Sequence, residues 1–245
     1  MEVIVFIFGV MIGSFLNVVI HRVPKGENIA FPPSHCPKCN TKLKPYHNIP
    51  IISWLLLKGK CAFCKEPISI RYPIVELLTG ILAVIVYEKF KVIDIYFIVT
   101  FGVFATLLAL SVIDLDYKAV PDSLNLLALT LAFFSSPDIL ENFKNALLVM
   151  GGMSLIRYYV SYFIKQEAMG EGDIIVGGTM GALLGIKGAI IAIFIASLIA
   201  LPASLYNRFS NKELELPFIP FLALGTLIAW FFKNEILEFW SIMYG

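Results

Sequence analysis

Met169-Gly170-Glu171-Gly172-Asp173 is a charged, glycine-rich pentapeptide set between two apolar runs of membrane length. A carboxylate where a chain re-enters hydrocarbon is costly, so Asp173 marks a functional site by default. The two glycines allow the backbone to bend or to pack closely just before it. The 245-residue chain around this stretch is 58% hydrophobic and only 15% charged, where a soluble domain carries about 25% charged residues. Its mean hydropathy is +0.82. These values exclude an ordinary soluble domain and predict an all-α, polytopic membrane bundle of about eight transmembrane helices.

The spans fall at residues 3–20, 73–88, 93–113, 121–135, 142–164, 173–186, 188–206 and 217–235, the sixth and seventh also readable as one broken hairpin. Turns are marked by Glu88-Lys89, Ser135-Ser136-Pro137-Asp138, Gly185-Ile186-Lys187-Gly188 and the stretch from Asn207 to Pro217. The first apolar run has Glu2 as its only early charge and lacks a small-residue cleavage site, so it reads as a retained helix. A net charge of +1, with the basic residues gathered in one loop, gives no footprint for nucleic acid. The expected partners are membrane lipid and a substrate.

Basic residues set the orientation. Those from Arg22 to Arg71 lie in the loop after the first span, and Lys118, Lys165, Arg208 and Lys212 fall on the same side. The opposite side holds Lys89, Lys91, Lys144, Lys187 and Lys233. The first loop is therefore expected in the cytoplasm, with both termini outside. The ends of spans carrying Asp114, Asp122 and Asp173 then all face the cytoplasm as well. The organisation that follows is a first helix (1–20), a cytoplasmic cysteine loop (21–72) and a membrane core (73–245).

All four cysteines lie in that loop, as Cys36-Pro37-Lys38-Cys39 and Cys61-Ala62-Phe63-Cys64. Two such knuckles supply four thiolates for a closed tetrahedral site, which suits structural zinc in a reducing compartment. His35 and His47 read as ordinary loop histidines, since four sulfurs already fill the site. The loop has too few apolar residues for a core of its own, so the metal would tie it down. The apolar stretch from His47 to Gly59 is too short to span and is expected to lie along the interface, with Trp54 at headgroup depth.

Four aspartates compete for attention. Asp114 follows an unbroken apolar run and lies deepest, Asp116 lies toward the loop beside Lys118, and Asp122 follows Pro121 at the start of the next helix. Asp122 is explained as an acid at a helix N-terminus, with Pro121 in the first turn. Asp114 ends one helix and Asp173 begins another on the same side, so the two can meet. Paired carboxyls sharing one proton can hydrolyse a peptide. From spacing alone, a transporter's ion path and two unrelated loop acids remain open.

Several motifs bear on that choice. They are Gly13-Ser14-Phe15-Leu16-Asn17, the two knuckles, His47-Asn48-Ile49-Pro50 running to Ser53-Trp54, Arg71-Tyr72-Pro73-Ile74-Val75-Glu76, Asp114-Leu115-Asp116 with Val120-Pro121-Asp122, the pentapeptide, and Pro217-Phe218-Ile219-Pro220. In these the chain resembles the bacterial type IV prepilin peptidase/N-methyltransferases, whose peptidase logic is that of the GxGD membrane aspartyl proteases. The resemblance implies removal of the basic leader of prepilins and pseudopilins after a glycine, at the cytoplasmic face of the inner membrane. It also implies N-methylation of the new terminus from S-adenosylmethionine. The catalytic pair maps to Asp114 and Asp173, supported by Gly170, Gly172, Asp116 and Asp122, with Gly59 linked to methyl transfer and Cys36, Cys39, Cys61 and Cys64 to zinc. Two positions depart from the family pattern: Ile175 stands where lysine is frequent, and Ile219 replaces the glycine of PFGP. The competing reading is a non-enzymatic, zinc-stabilised transporter or pilus-assembly scaffold.

Overall fold

The computed structural model describes residues 1–36, 38–209 and 216–233, together with Glu235 and Glu238. Pro37 of the first knuckle, Lys212 and the Arg208 side chain lie outside the described residues. Among the described residues eight α-helices follow in order: α1 (Glu2–Arg22), α2 (Ile52–Leu56), α3 (Arg71–Phe90), α4 (Ile95–Tyr117), α5 (Asp122–Phe133), α6 (Ile139–Ile164), α7 (Glu171–Phe209) and α8 (Ile219–Phe231). No strand occurs among the described residues, only two isolated bridges in the cysteine loop.

The all-helical reading holds, while the count of eight spans is not reproduced as such. Among the described residues four helices are long and apolar enough to cross a membrane: α1 extended to Lys25, α4, α6 and α7. This marks an integral membrane protein. The expected sixth and seventh spans form the single element α7, broken at Gly185, where φ is 74° and ψ 172°. That backbone region is open in practice only to glycine. The break falls at Gly185 alone, and the Ile186-Lys187-Gly188 part of the expected turn is already helical. Among the described residues α5 has 12 residues and α8 has 13, fewer than the roughly 20 that cross hydrocarbon at about 1.5 Å per residue.

The chain divides into two compact units, Met1–Ile93 and Asp94–Gly245. In the first, α1 packs against α3, so the helix at residues 71–90 belongs with the cysteine loop. The Gly9-x-x-x-Gly13 spacing lets the two backbones approach closely. A Cβ at Gly9 would lie 2.6 Å from Ala83 Cβ, and one at Gly13 2.7 Å from Glu76 Cα. The opposite face of α1, with Ile4, Phe8, Met11 and Phe15 at helical spacing, is exposed, as a lipid-facing stripe would be.

In the second unit, α4 packs on α5 and α8, and α7 packs on α5, α6 and α8. Phe97, Leu107, Leu110 and Ile113 of α4 are buried with Val176 and Met180 of α7 and Leu222 of α8. Four hydroxyls inside these helices bond within their own turns: Thr106, Ser111, Thr179 and Thr226 donate to the carbonyls four residues back. Apolar packing therefore surrounds α4, and the C-terminal end of this helix carries the aspartates.

Candidate active site

Asp114 lies in the last turn of α4 and is 6% exposed. Its Oδ2 accepts a hydrogen bond from the Ile219 backbone N–H at 3.1 Å. Ile219 opens α8, so the carboxylate satisfies a helix-start donor that has no partner within its own helix. The contribution of the Pro217-Phe218-Ile219-Pro220 motif is thus a main-chain N–H. Isoleucine supplies it as well as the family's glycine does, which removes that departure as an objection.

Asp173 is the third residue of α7 and half-buried. Its carboxylate folds back over Gly170 and accepts from the Gly170 N–H, the geometry of an acid that caps its own helix start. Asp114 lies within electrostatic reach of it. The end of α4 and the starts of α7 and α8 therefore bring two carboxylates together, each fixed by a backbone N–H.

The two glycines do different jobs, and neither adopts a positive φ. The chain bends at Met169, just before α7, and close approach is what Gly172 adds. A Cβ on Gly172 would lie 2.8 Å from Val120 Cβ, whereas one on Gly170 would meet nothing nearer than Asp173 Oδ2 at 3.4 Å. Asn125, fully buried in α5, donates its Nδ2 hydrogen to the Gly172 carbonyl at 2.9 Å. The Val120–Asn125 segment thus locks the turn that presents Asp173. Sequence reasoning missed Asn125. The available signal was an amide one helical turn into an apolar helix.

Asp116 and Asp122 are exposed. Asp122 is the first residue of α5 with Pro121 as its cap, so the proline sits one position earlier than the sequence predicts. Glu171 gains a partner: Arg157 of α6 meets it at 3.2 Å and Glu167 at 3.6 Å. Exposed Tyr158, Tyr159 and Tyr162 follow that arginine in sequence. Tyrosine and arginine together at a helix end are typical of a membrane–water interface.

The first unit holds the second candidate centre. Sγ atoms of Cys36, Cys39, Cys61 and Cys64 all lie within 4.8 Å of one another, and Cys36 and Cys64 are 3.8 Å apart. Tetrahedral zinc with Zn–S near 2.3 Å sets sulfurs about 3.8 Å apart, so the donor set fits that ion. The knuckles repeat each other. In each, the first cysteine's N–H donates to the carbonyl five residues on (Thr41, Glu66), and its carbonyl accepts from the residue four on (Asn40, Lys65). Asn40 and Lys65 both take a positive φ. The sequence had shown no repeat beyond the cysteine spacing itself.

Hydrogen bonds from Thr41 hold the Cys39 thiol down to about 6. The Glu66 N–H lowers the Cys64 thiol, yet burial and the neighbouring sulfurs push it up to about 12. Four thiols this close cannot all ionise without a cation between them.

Gly59 has φ +68°, and a Cβ there would lie 2.9 Å from the Trp54 ring. Trp54 Nε1 donates to the Ile68 carbonyl at 3.1 Å. His47 packs edge-on against Phe63, with ring centroids 5.4 Å apart, and so ties the 47–59 stretch to the second knuckle.

Residues 7–90 match the family model of the bacterial peptidase A24 N-terminal domain, and residues 101–205 that of the type IV leader peptidase family. The chain is 35% identical to the prepilin leader peptidase/N-methyltransferase of Xanthomonas campestris pv. campestris, over 94% of this chain and 91% of that one. Identity to the protein of the same name from Neisseria gonorrhoeae is 36%, over 82% and 80%. For the one from Pseudomonas aeruginosa it is 32%, over 94% and 90%. No solved structure matches the chain significantly. With both family models in order along it and relatives covered nearly from end to end, this chain belongs to the type IV leader peptidase family.

Proposed function

We propose that the protein is a membrane aspartyl endopeptidase that removes the leader of type IV prepilins and pseudopilins and then N-methylates the new terminus. The observation that carries the peptidase half is the pairing of Asp114 and Asp173 at the ends of α4 and α7, within electrostatic reach and each anchored by a main-chain N–H. Two carboxyls so placed share one proton and titrate as a unit. The ionised member takes a proton from water as the water oxygen attacks the scissile carbonyl carbon. The protonated member hydrogen-bonds the carbonyl oxygen. Collapse of the resulting tetrahedral centre breaks the C–N bond, the departing nitrogen taking a proton from the pair. The anchoring N–H groups hold both carboxyls in place and leave their remaining lone pairs for water and substrate.

The distribution of lysine and arginine supports a site on the cytoplasmic side of the inner membrane. Structural zinc suits the four cysteines. S-adenosylmethionine, the methyl donor implied by the family, supplies a methyl carbon activated by its sulfonium. A cavity of about 560 Å³ in the first unit, lined by residues including Phe15, Val18, Ser34 and Lys42, falls in the size range of small-molecule sites.

Asp114→Asn and Asp173→Asn are expected to abolish cleavage of a prepilin peptide in detergent or lipid while the protein still inserts. Asp116→Asn should cleave normally. Cleavage retained in either of the first two variants sinks the pair, and a wild-type protein that leaves the peptide uncut favours a scaffold or transporter.

A further inference from the structure

Glu76 is a buried carboxylate, 7% exposed, in a part of the chain that the aspartate pair does not use. It sits on α3 opposite Gly13 of α1, whose missing side chain makes room for it. The Ile51 N–H donates to its Oε2 at 2.7 Å, and the Ser14 hydroxyl also bonds it.

Ile51 has φ 59° and ψ −54°, an arrangement that a β-branched side chain avoids. The Ile52 N–H reaches back to the Pro50 carbonyl, which makes residues 50–52 a γ-turn of the rare positive-φ kind. Backbone strain of this type persists only where its surroundings over-determine it, and it gathers at functional sites. Here the over-determining contact is the Glu76 carboxylate. The strained residue leads directly into α2, whose Trp54 lies against Gly59 and bonds Ile68. One end of the 51–59 segment is thus pinned by Glu76 and the other by Trp54, Gly59 and Ile68. Two buried polar atoms in the same unit, Asn17 Oδ1 and His47 Nδ1, have no partner among the described residues. His47 lies four residues before this segment, and Asn17, one helical turn from Ser14, donates its Nδ2 hydrogen to the Tyr72 carbonyl at 3.0 Å.

We propose that Glu76 is a positioning residue for methyl transfer, its carboxylate holding Ile51 in the strained turn that sets the 51–59 segment in its working geometry. This rests on the methyltransferase reading of the first unit. The group itself need not touch the amine: it fixes a loop whose displacement would misalign the acceptor nitrogen and the methyl carbon.

The test uses the full-length protein in lipid, a prepilin peptide and S-adenosylmethionine with a labelled methyl group. Cleavage and methyl transfer are followed separately. Glu76→Ala should lower kcat for methyl transfer on the order of a hundredfold, the effect of misplacement by about 1 Å, with KM for the peptide and the cleavage rate within about threefold of wild type. Glu76→Gln keeps an acceptor for the Ile51 N–H and should retain most of the activity. The decisive variant is Ile51→Gly combined with Glu76→Ala. Glycine takes the positive φ without strain, so the anchor becomes dispensable and at least tenfold of the lost rate should return. A double variant no better than Glu76→Ala, unimpaired methylation by Glu76→Ala, or a parallel fall in cleavage and methylation each overturns the proposal. A wild-type protein that cleaves but transfers no methyl overturns the underlying reading instead.

Discussion

A methyl group added at Gly172 lands 2.8 Å from Val120 Cβ, whereas one at Gly170 meets only Asp173 Oδ2 at 3.4 Å. The two glycines of the pentapeptide should therefore respond unequally to alanine. Gly172→Ala should destabilise the start of α7 by about 1–3 kcal/mol, the usual cost of overpacking, and lower cleavage at least tenfold. Gly170→Ala should stay within about threefold of wild type. Adding Val120→Ala to Gly172→Ala should restore much of the loss, which a cleavage assay on the double variant checks. At this scale the sequence was most informative about Asp114, because an acid at the end of an unbroken apolar run has no inexpensive alternative explanation. It could not tell the two glycines apart, since their difference depends on Val120, some fifty positions earlier in the chain. Nor could it explain Ile219, because the group that matters there is a backbone N–H, which every non-proline residue supplies.

The start of α8 is buried in the second unit, with Ile219 only 1% exposed, and a buried helix start is tolerated only where its N–H groups find partners. Asp114 covers the start of α8 in this way, and Asn125 joins α5 to the start of α7. The hydropathy pattern found all these helices, often within two or three residues, because apolar runs interrupted by charge and glycine are strong signals. It read residues 173–206 as two spans or one broken hairpin, and the structure joins them as α7 with a break at Gly185. The break falls on Gly185, the first residue of the turn marked in the sequence, and its φ of 74° and ψ of 172° make it sharp. Gly185→Ala should cost about 1–3 kcal/mol, the price of forcing a side chain into that region, and a thermal unfolding series in detergent would show it as a lowered Tm. The Arg157–Glu171 pair makes the opposite forecast. Its glutamate is 82% exposed, and exposed ion pairs contribute about 0–1 kcal/mol. Glu171→Gln should consequently cleave within about threefold of wild type, and a tenfold loss would show that Glu171 meets the substrate.

Two units, one holding a paired carboxylate site and the other a four-thiol centre, imply that the two chemistries can be separated by damaging one support. Both family models divide the chain near the same place. The sequence offered a different boundary because a hydropathy profile cannot reveal that α3 packs on α1 through Gly9 and Gly13. The cysteine loop is joined to that helix pair by hydrogen bonds such as that from the Ile51 N–H to Glu76; ring contacts such as His47 on Phe63 stay within the loop, and it buries little apolar surface of its own. An ion held by the four cysteines would supply much of its order, as in other small zinc-dependent segments. Loss of the metal should accordingly loosen residues 36–68, free His47 and Trp54, and lower methyl transfer at least tenfold. The aspartate pair should keep cleaving at close to the normal rate, since Asp114, Asp173, Ile219 and Asn125 all lie in the other unit. Cys36→Ser and Cys61→Ser should act alike, because either leaves three ligands and one knuckle unclosed. Acid should act in the same direction by protonating the thiolates and releasing the metal. The measurement is zinc content by elemental analysis, together with cleavage and methylation on the same preparations. Wild-type protein that is folded, methylates and contains no zinc would refute a structural metal, and cleavage falling in step with methylation in the cysteine variants would refute the independence of the two units.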